Sequence, residues 1–323
     1  MRRVNVLYLG QEGVDPIWQE EVEAAVRPRH DLRILDPEQP LAGQFRDAEA
    51  VIDMGGSAGT HEMMDAAVDT KFWQVLGTGL DHVDVDYLKR KGFIVSNCPG
   101  PFSSMPLAES AMMLILMLAH RYREAAANFE RRVLYNPMGH ELGGKILGII
   151  GFGASGRELA RRAKPFGMRI RGIDVVRIPD EVLREIEPEF MGTPDDLDRV
   201  VAESDFLSLH LHLTRETRHL IDAQRIARMK PDACLINVAR GALADEAALH
   251  AALEAGRLGG AGLDVFGQEP PDPSLPVYRL PNVVVTPHTA AATDGTARRR
   301  AAAAGENVDR LAQGLEPLYR VDR

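Results

Sequence analysis

The sequence predicts an α/β protein built on doubly wound parallel sheets and divided into two domains. Short apolar runs alternate with helix-length amphipathic segments almost from end to end, the pattern of parallel strands covered by helices. A glycine-rich turn, Gly151 to Gly156, stands between an apolar run and an amphipathic helix. The 323 residues exceed what one small core needs and suit two domains of ordinary size.

The elements follow in order. In the first hundred residues the apolar runs predict strands over 4–9, 32–35, 50–54, 72–76 and 93–96. Helices fall between them, for instance over 16–26 and over 85–91, the latter closed by Gly92. One long helix is predicted over 106–129, with Pro106 suited to its first turn. Residues 133–144 carry Pro137 and the glycines Gly139, Gly143 and Gly144, so they form a loop. A second alternating series then starts with a strand over 147–150, a helix over 155–165 and a strand over 169–173. It runs on to a strand over 283–286. The C-terminal stretch is Ala-rich and helical as far as Gly314.

Composition excludes several classes. A net charge of -9 argues against a general binder of nucleic acid, which would need clustered Lys and Arg. The one basic run, Arg298-Arg299-Arg300, lies in the Ala-rich stretch and is read as a solvated helix face. Cys98 and Cys234 are spaced for neither a metal site nor a redox pair, and Cys234 sits in an apolar run as a buried thiol. No metal is called for. The N-terminal apolar run, 4–9, is followed by Gln11-Glu12 and reads as a strand, not a signal peptide. The longest apolar run, 111–119, is far too short to span a bilayer. A soluble, cytoplasmic protein without membrane partners is expected.

The first chemical signal is Gly151-Phe152-Gly153-Ala154-Ser155-Gly156, a G-x-G-x-x-G between strand and helix. In a dinucleotide site Gly151 makes the tight turn, Gly153 lets the backbone approach the pyrophosphate, and Gly156 lets helix and strand pack closely. The pyrophosphate rests on the helix N-terminus, where amides and dipole favour negative charge. The next strand ends at Asp174, a carboxylate placed for the adenosine ribose hydroxyls. It repels a 2′-phosphate and so favours NAD over NADP, although Arg177 lies three residues on.

The second signal is a set of polar residues just beyond apolar strands, where ligands bind in open α/β sheets. Arg240 follows 235–239, Glu269 follows the run 262–266, and His288 follows 283–287. Hydride transfer at a hydroxy acid needs these three types. Guanidinium grips a carboxylate bidentately, imidazole exchanges the hydroxyl proton near neutral pH, and a carboxylate fixes the imidazole tautomer.

With these segments the chain resembles the D-isomer-specific 2-hydroxyacid dehydrogenases. That family includes glyoxylate/hydroxypyruvate reductases, D-lactate dehydrogenases and 3-phosphoglycerate dehydrogenases. The resemblance covers nearly the whole chain and rests on five ordered motifs: 77–84 (GTGLDHVD), the glycine loop with Asp174, 237–241 (NVARG), 263–266 (LDVF) with Glu269-Pro270, and 286–290 (TPHTA). It implies Arg240 as carboxylate binder, Glu269 as partner of the histidine and His288 as acid–base. It implies Thr78 and Gly79 along the substrate and nicotinamide cleft, and Asp264 near the nicotinamide carboxamide. It extends the NAD-binding set to Ala154, Ser155, His210, Val238 and Ala239, with His288 beside them. It also implies a Rossmann cofactor domain, residues 106–291, inserted in a flavodoxin-like substrate domain, residues 1–105 and 292–323. A homodimer is implied, with the apolar stretch from Met112 to Leu118 buried partly against a second copy.

Four positions depart from the family pattern. Ala154-Ser155 replace the common Arg-Ile or Arg-Leu, His212 stands where proline is usual, and Ala291 replaces a common glycine. Glu269 separates the chain from formate dehydrogenases, which carry glutamine there. No regulatory domain is expected after Arg323, which argues against a long-form phosphoglycerate dehydrogenase. The other class of function on this fold is a dinucleotide-sensing, corepressor-like binding protein, separated from an enzyme by whether NADH is oxidised with glyoxylate or hydroxypyruvate. The acid itself is not named by the sequence. Leu76, Thr78, Phe102 and Ser104 are the side chains expected to select it.

Overall fold

The computed structural model describes residues 1–55 and 59–323. In chain order the first elements are β1 (Asn5–Leu9), α1 (Ile17–Val26), β2 (Asp31–Ile34), α2 (Leu41–Phe45) and β3 (Ala50–Asp53). They are followed by α3 (His61–Ala66), β4 (Phe72–Val75), α4 (Val85–Arg90) and β5 (Ile94–Ser96). Next come α5 (Ser104–Ala119), α6 (Tyr122–Glu130), β6 (Ile146–Ile150), α7 (Ala154–Ala163), β7 (Arg169–Ile173), α8 (Asp180–Ile186) and β8 (Phe190–Gly192). Then follow α9 (Leu197–Glu203), β9 (Phe206–Leu209), α10 (Ala223–Arg228), β10 (Cys234–Asn237) and α11 (Glu246–Glu254). The series ends in β11 (Gly260–Leu263), β12 (Val283–Val285) and α12 (Asp294–Ala312).

These elements form two compact units, one of residues 1–103 and 293–323, the other of residues 104–292. The first contains a five-stranded parallel sheet in the order β2-β1-β3-β4-β5, the flavodoxin-like winding. Helices α1 and α12 cover one face through Val22, Val26, Ala301, Ala304 and Val308. Thr293 starts α12 by accepting the Thr296 amide (3.3 Å) on its hydroxyl, a side-chain N-cap.

The second unit contains a seven-stranded parallel sheet in the order β12-β11-β10-β9-β6-β7-β8. Counted from β6, this is the Rossmann winding with one strand added at the edge, and it turns back at β6 and β9. Its central strands are buried along their whole length: Ile146–Ile150, Phe206–Leu209 and Cys234–Asn237 carry no exposed residue. That is the reason these segments read as continuous apolar runs without alternation. Among the described residues no helix is long and apolar enough to cross a membrane.

Two expectations are corrected. The helix predicted over 106–129 is two helices, broken at Arg121 in the left-handed region (φ 49°). Neither glycine nor proline marks the break, because distant groups impose it. His140 donates its amide to the Ala119 carbonyl (2.8 Å), ending α5. Arg123 donates to the carbonyls of Tyr278, Leu280 and Val283 (2.5–2.9 Å), anchoring α6. In the stretch from Met112 to Leu118, expected to be buried, Met112, Leu114, Ile115 and Leu118 pack into the core against α7, β10 and β11, and Met113 stays 41% exposed. Lastly, the basic run is not one solvated face. The Arg298 side chain is exposed, while Arg300 is buried over the Trp18 ring and donates to the Thr78 hydroxyl (3.3 Å).

Candidate active site

The glycine turn lies between β6 and α7, at the C-terminal ends of β6 and β9, where the strand order reverses. Gly151 adopts φ 93°, and a Cβ there would lie 2.4 Å from the His210 carbonyl oxygen, so no side chain is tolerated. A Cβ on Gly156 would lie 2.2 Å from the Gly151 carbonyl oxygen, which ties helix α7 closely to the turn. Gly153 differs, since nothing lies within 4 Å of a Cβ built on it, and the residue is exposed. An open, side-chain-free approach to the first turn of α7 is the geometry a pyrophosphate requires, so these residues fit a dinucleotide.

Asp174 follows β7 and turns back to this loop. Its Oδ2 accepts the Phe152 amide (2.7 Å) and its Oδ1 accepts the Val176 amide (2.9 Å). Each oxygen keeps a further lone pair for a ribose hydroxyl. Arg177 is turned to solvent and pairs with Asp180 (3.3 Å).

His210, just past β9, does not offer its ring to a ligand. Its Nδ1 is 3.0 Å from Ser155 Oγ and its Nε2 is 2.9 Å from Ser208 Oγ, so both ring nitrogens are engaged within the fold. One edge of the residue meets solvent, but the packing around the ring strips water from it and lowers its pKa to about 4. Val238 is buried and Ala239 half-buried directly after β10, while His212 is exposed.

The other three groups are delivered by strand ends. Beyond β10 the buried Asn237 side chain accepts the Ala239 amide (3.1 Å) and donates to the Arg240 carbonyl (2.8 Å), folding the chain into a turn that presents Arg240. A Cβ on Gly241 would lie 1.9 Å from the Phe266 carbonyl carbon, so this turn lies directly against the segment that leads to Glu269. Glu269 accepts the Phe266 amide (3.1 Å) on Oε1 and pairs with His288 Nδ1 (2.7 Å) on Oε2. Burial pushes the Glu269 carboxyl up. The His288 hydrogen bond and charge, the Phe266 amide and the Arg240 charge outweigh it, so the net shift is down. Glu269 is thus a carboxylate, Nδ1 donates to it, and Nε2 is left as the reactive nitrogen of a side chain 40% exposed.

Asp264, 1% exposed, builds the turn under the histidine. Its carboxylate accepts from the Thr286 hydroxyl (2.6 Å) and from the amides of Thr289 (2.8 Å) and Ala290 (3.0 Å), and its carbonyl accepts the His288 amide (2.7 Å). These bonds hold His288 at φ 54°, a left-handed conformation costing roughly 1–2 kcal/mol for a residue with a Cβ. Sequence reasoning missed Thr286 and Ser208. The signal available for Ser208 was a hydroxyl inside the apolar strand Phe206–Leu209.

Thr78 and Gly79 lie in the first unit, shortly after β4. Asn97 donates to the Thr78 carbonyl (2.8 Å), and the Thr78 hydroxyl is 3.4 Å from that of Ser103. Of the expected substrate-selecting residues, Leu76 is fully buried in that unit's core and offers no contact surface. Phe102 is half-buried, edge-on to Tyr319, and Ser104 begins α5 in the other unit.

The family model described as D-isomer specific 2-hydroxyacid dehydrogenase, NAD binding domain, matches residues 112–290. A glyoxylate reductase of Aeropyrum pernix is 37% identical over 309 residues, covering 91% of this chain and 90% of that protein. A D-3-phosphoglycerate dehydrogenase of Methanocaldococcus jannaschii is 37% identical over 280 residues, 85% of this chain. The match spans only about half (52%) of that longer protein. The crystal structure of D-lactate dehydrogenase from Aquifex aeolicus, complexed with NAD and lactic acid, superposes with a TM-score of 0.80. It is 30% identical, and the match covers 96% of each chain.

Proposed function

This chain belongs to the D-isomer specific 2-hydroxyacid dehydrogenase family, and from that premise we propose that Arg240, Glu269 and His288 carry its hydride transfer between NAD(H) and a small 2-keto or 2-hydroxy acid. The observation that carries the assignment is the 2.7 Å pair of His288 Nδ1 with Glu269, beside the Arg240 charge and in the unit that holds the glycine turn. When bound, NADH supplies the hydride to the keto carbon. Arg240 grips the substrate carboxylate and its charge polarises the adjacent carbonyl. His288 gives the proton on Nε2 to the carbonyl oxygen, and Glu269 holds the imidazolium through Nδ1. Asp264, Thr286 and the Asn237 turn hold these groups in place. Thr78 and Gly79 join the substrate contacts on the strength of the family motif. Purified protein is expected to oxidise NADH with glyoxylate or hydroxypyruvate, and failure with every member of a 2-keto acid panel overturns the reading.

The cofactor is NAD. Preference for it over NADP follows from Asp174, whose carboxylate repels a 2′-phosphate, with Arg177 tied to Asp180. We expect kcat/KM for NADH to exceed that for NADPH by at least about tenfold, roughly 1.4 kcal/mol. Equal values with the two cofactors sink the assignment.

A homodimer is also part of this reading. In the second unit Met113, Phe129, Leu134, Tyr135 and Met138 are all at least 40% exposed, which leaves large apolar side chains for an interface to cover. A two-fold interface buries the same patch on both copies. Light scattering at micromolar concentration is expected to give twice the 35.5 kDa chain mass, falling to one chain in Phe129→Glu/Leu134→Asp. A monomeric wild type contradicts it.

A further inference from the structure

The contacts of His210 allow its tautomer to be deduced. Ser208 lies in the buried strand β9, and among the described residues its hydroxyl has one partner, His210 Nε2 at 2.9 Å. A buried hydroxyl proton left without an acceptor is unfavourable, so Ser208 donates to Nε2. A neutral imidazole that accepts at Nε2 carries its proton on Nδ1. Burial lowers the pKa of the ring to about 4, which favours the neutral form near neutral pH. Nδ1–H therefore donates to Ser155 Oγ at 3.0 Å, and the lone pair of Ser155 facing His210 is filled. Ser155 has no other hydrogen-bond partner among the described residues, and it lies half-buried on the first turn of α7 beside the open space at Gly153. Its own proton is left for a partner other than His210.

We propose that Ser155 donates its hydroxyl proton to the cofactor's pyrophosphate, and that His210 and Ser208 are positioning residues that orient it without touching the cofactor. All donors in the chain point the same way, from Ser208 through the imidazole to Ser155, so an anion at the end completes it with every group satisfied. This deepens the cofactor reading above and depends on it.

The test is a titration of NADH fluorescence, with ADP-ribose and adenosine as competing probes. Ser155→Ala is expected to weaken NADH and ADP-ribose about tenfold, the range for a hydrogen bond to a charged acceptor, and to leave adenosine unchanged. His210→Phe is expected to cost about the same, and Ser155→Ala/His210→Phe no more than either alone, because one interaction is lost in all three. His210→Asn, whose amide replaces the Nδ1 donor, is expected to restore most of the affinity. Nitrogen NMR of His210 is expected to show the proton on Nδ1, with and without NADH. Unchanged NADH affinity in Ser155→Ala, additive losses in the double variant, or a proton on Nε2 each overturn the inference. Failure of the wild-type protein to bind NADH would instead remove the cofactor reading beneath it.

Discussion

Replacing His288 with alanine is expected to lower kcat for keto-acid reduction by about 10²–10⁴-fold, the usual contribution of a positioned general acid. The imidazole has one nitrogen committed to Glu269 at 2.7 Å, and only Nε2 delivers a proton. NADH affinity is expected to change little, because the groups expected to hold most of the cofactor lie at the glycine turn and Asp174, on other strand ends. Full activity in His288→Ala refutes the assignment. The Glu269 variant tests the same pair by pH. Removing the carboxylate takes away the charge that pairs with the ring, the same interaction that lowers the Glu269 carboxyl. Because reduction needs the protonated ring, Glu269→Gln should move the pH optimum of reduction toward acid. A profile that stays in place shows that Glu269 does not hold the imidazolium.

Arg240→Lys is expected to raise KM for the keto acid and lower kcat together, with kcat/KM down roughly tenfold to hundredfold. That range corresponds to about 1.5–3 kcal/mol for a charge-assisted hydrogen bond. Lysine keeps the charge but loses the planar fork that meets both carboxylate oxygens. The turn that carries Arg240 is made mainly by Asn237 and Gly241, and the guanidinium adds one bond to the Ala239 carbonyl (2.8 Å), so the variant should fold with only a small change in melting temperature. Steady-state kinetics on folded protein decides the point. A rise in KM with kcat unchanged limits Arg240 to ground-state binding of the substrate.

Much of this was legible in the chain itself. The strands of the second sheet are buried on both faces and so appear as apolar runs with no competing pattern. The glycine turn declared itself because Gly151 and Gly156 stand where no Cβ fits. Arg240, Glu269 and His288 could be picked out because each follows a strand end, where side chains leave the sheet. Local physics governs all of these, through periodicity, steric exclusion and chemical type.

The remaining features depend on partners far away in sequence, and only the tertiary structure decided them. The break at Arg121 needs His140 and the carbonyls near Tyr278, so a helix with no local stop signal still ends there. Arg300 is buried, not solvated, because Trp18 and Thr78 lie against α12. The motif places His210 beside the cofactor, and only the fold shows its two ring nitrogens bonded to Ser155 and Ser208, 55 residues and two residues before it. Hydrogen-bond directions are set by which donors and acceptors meet in space. The one-dimensional pattern records which groups exist, and only the packed fold determines which of them are already spent.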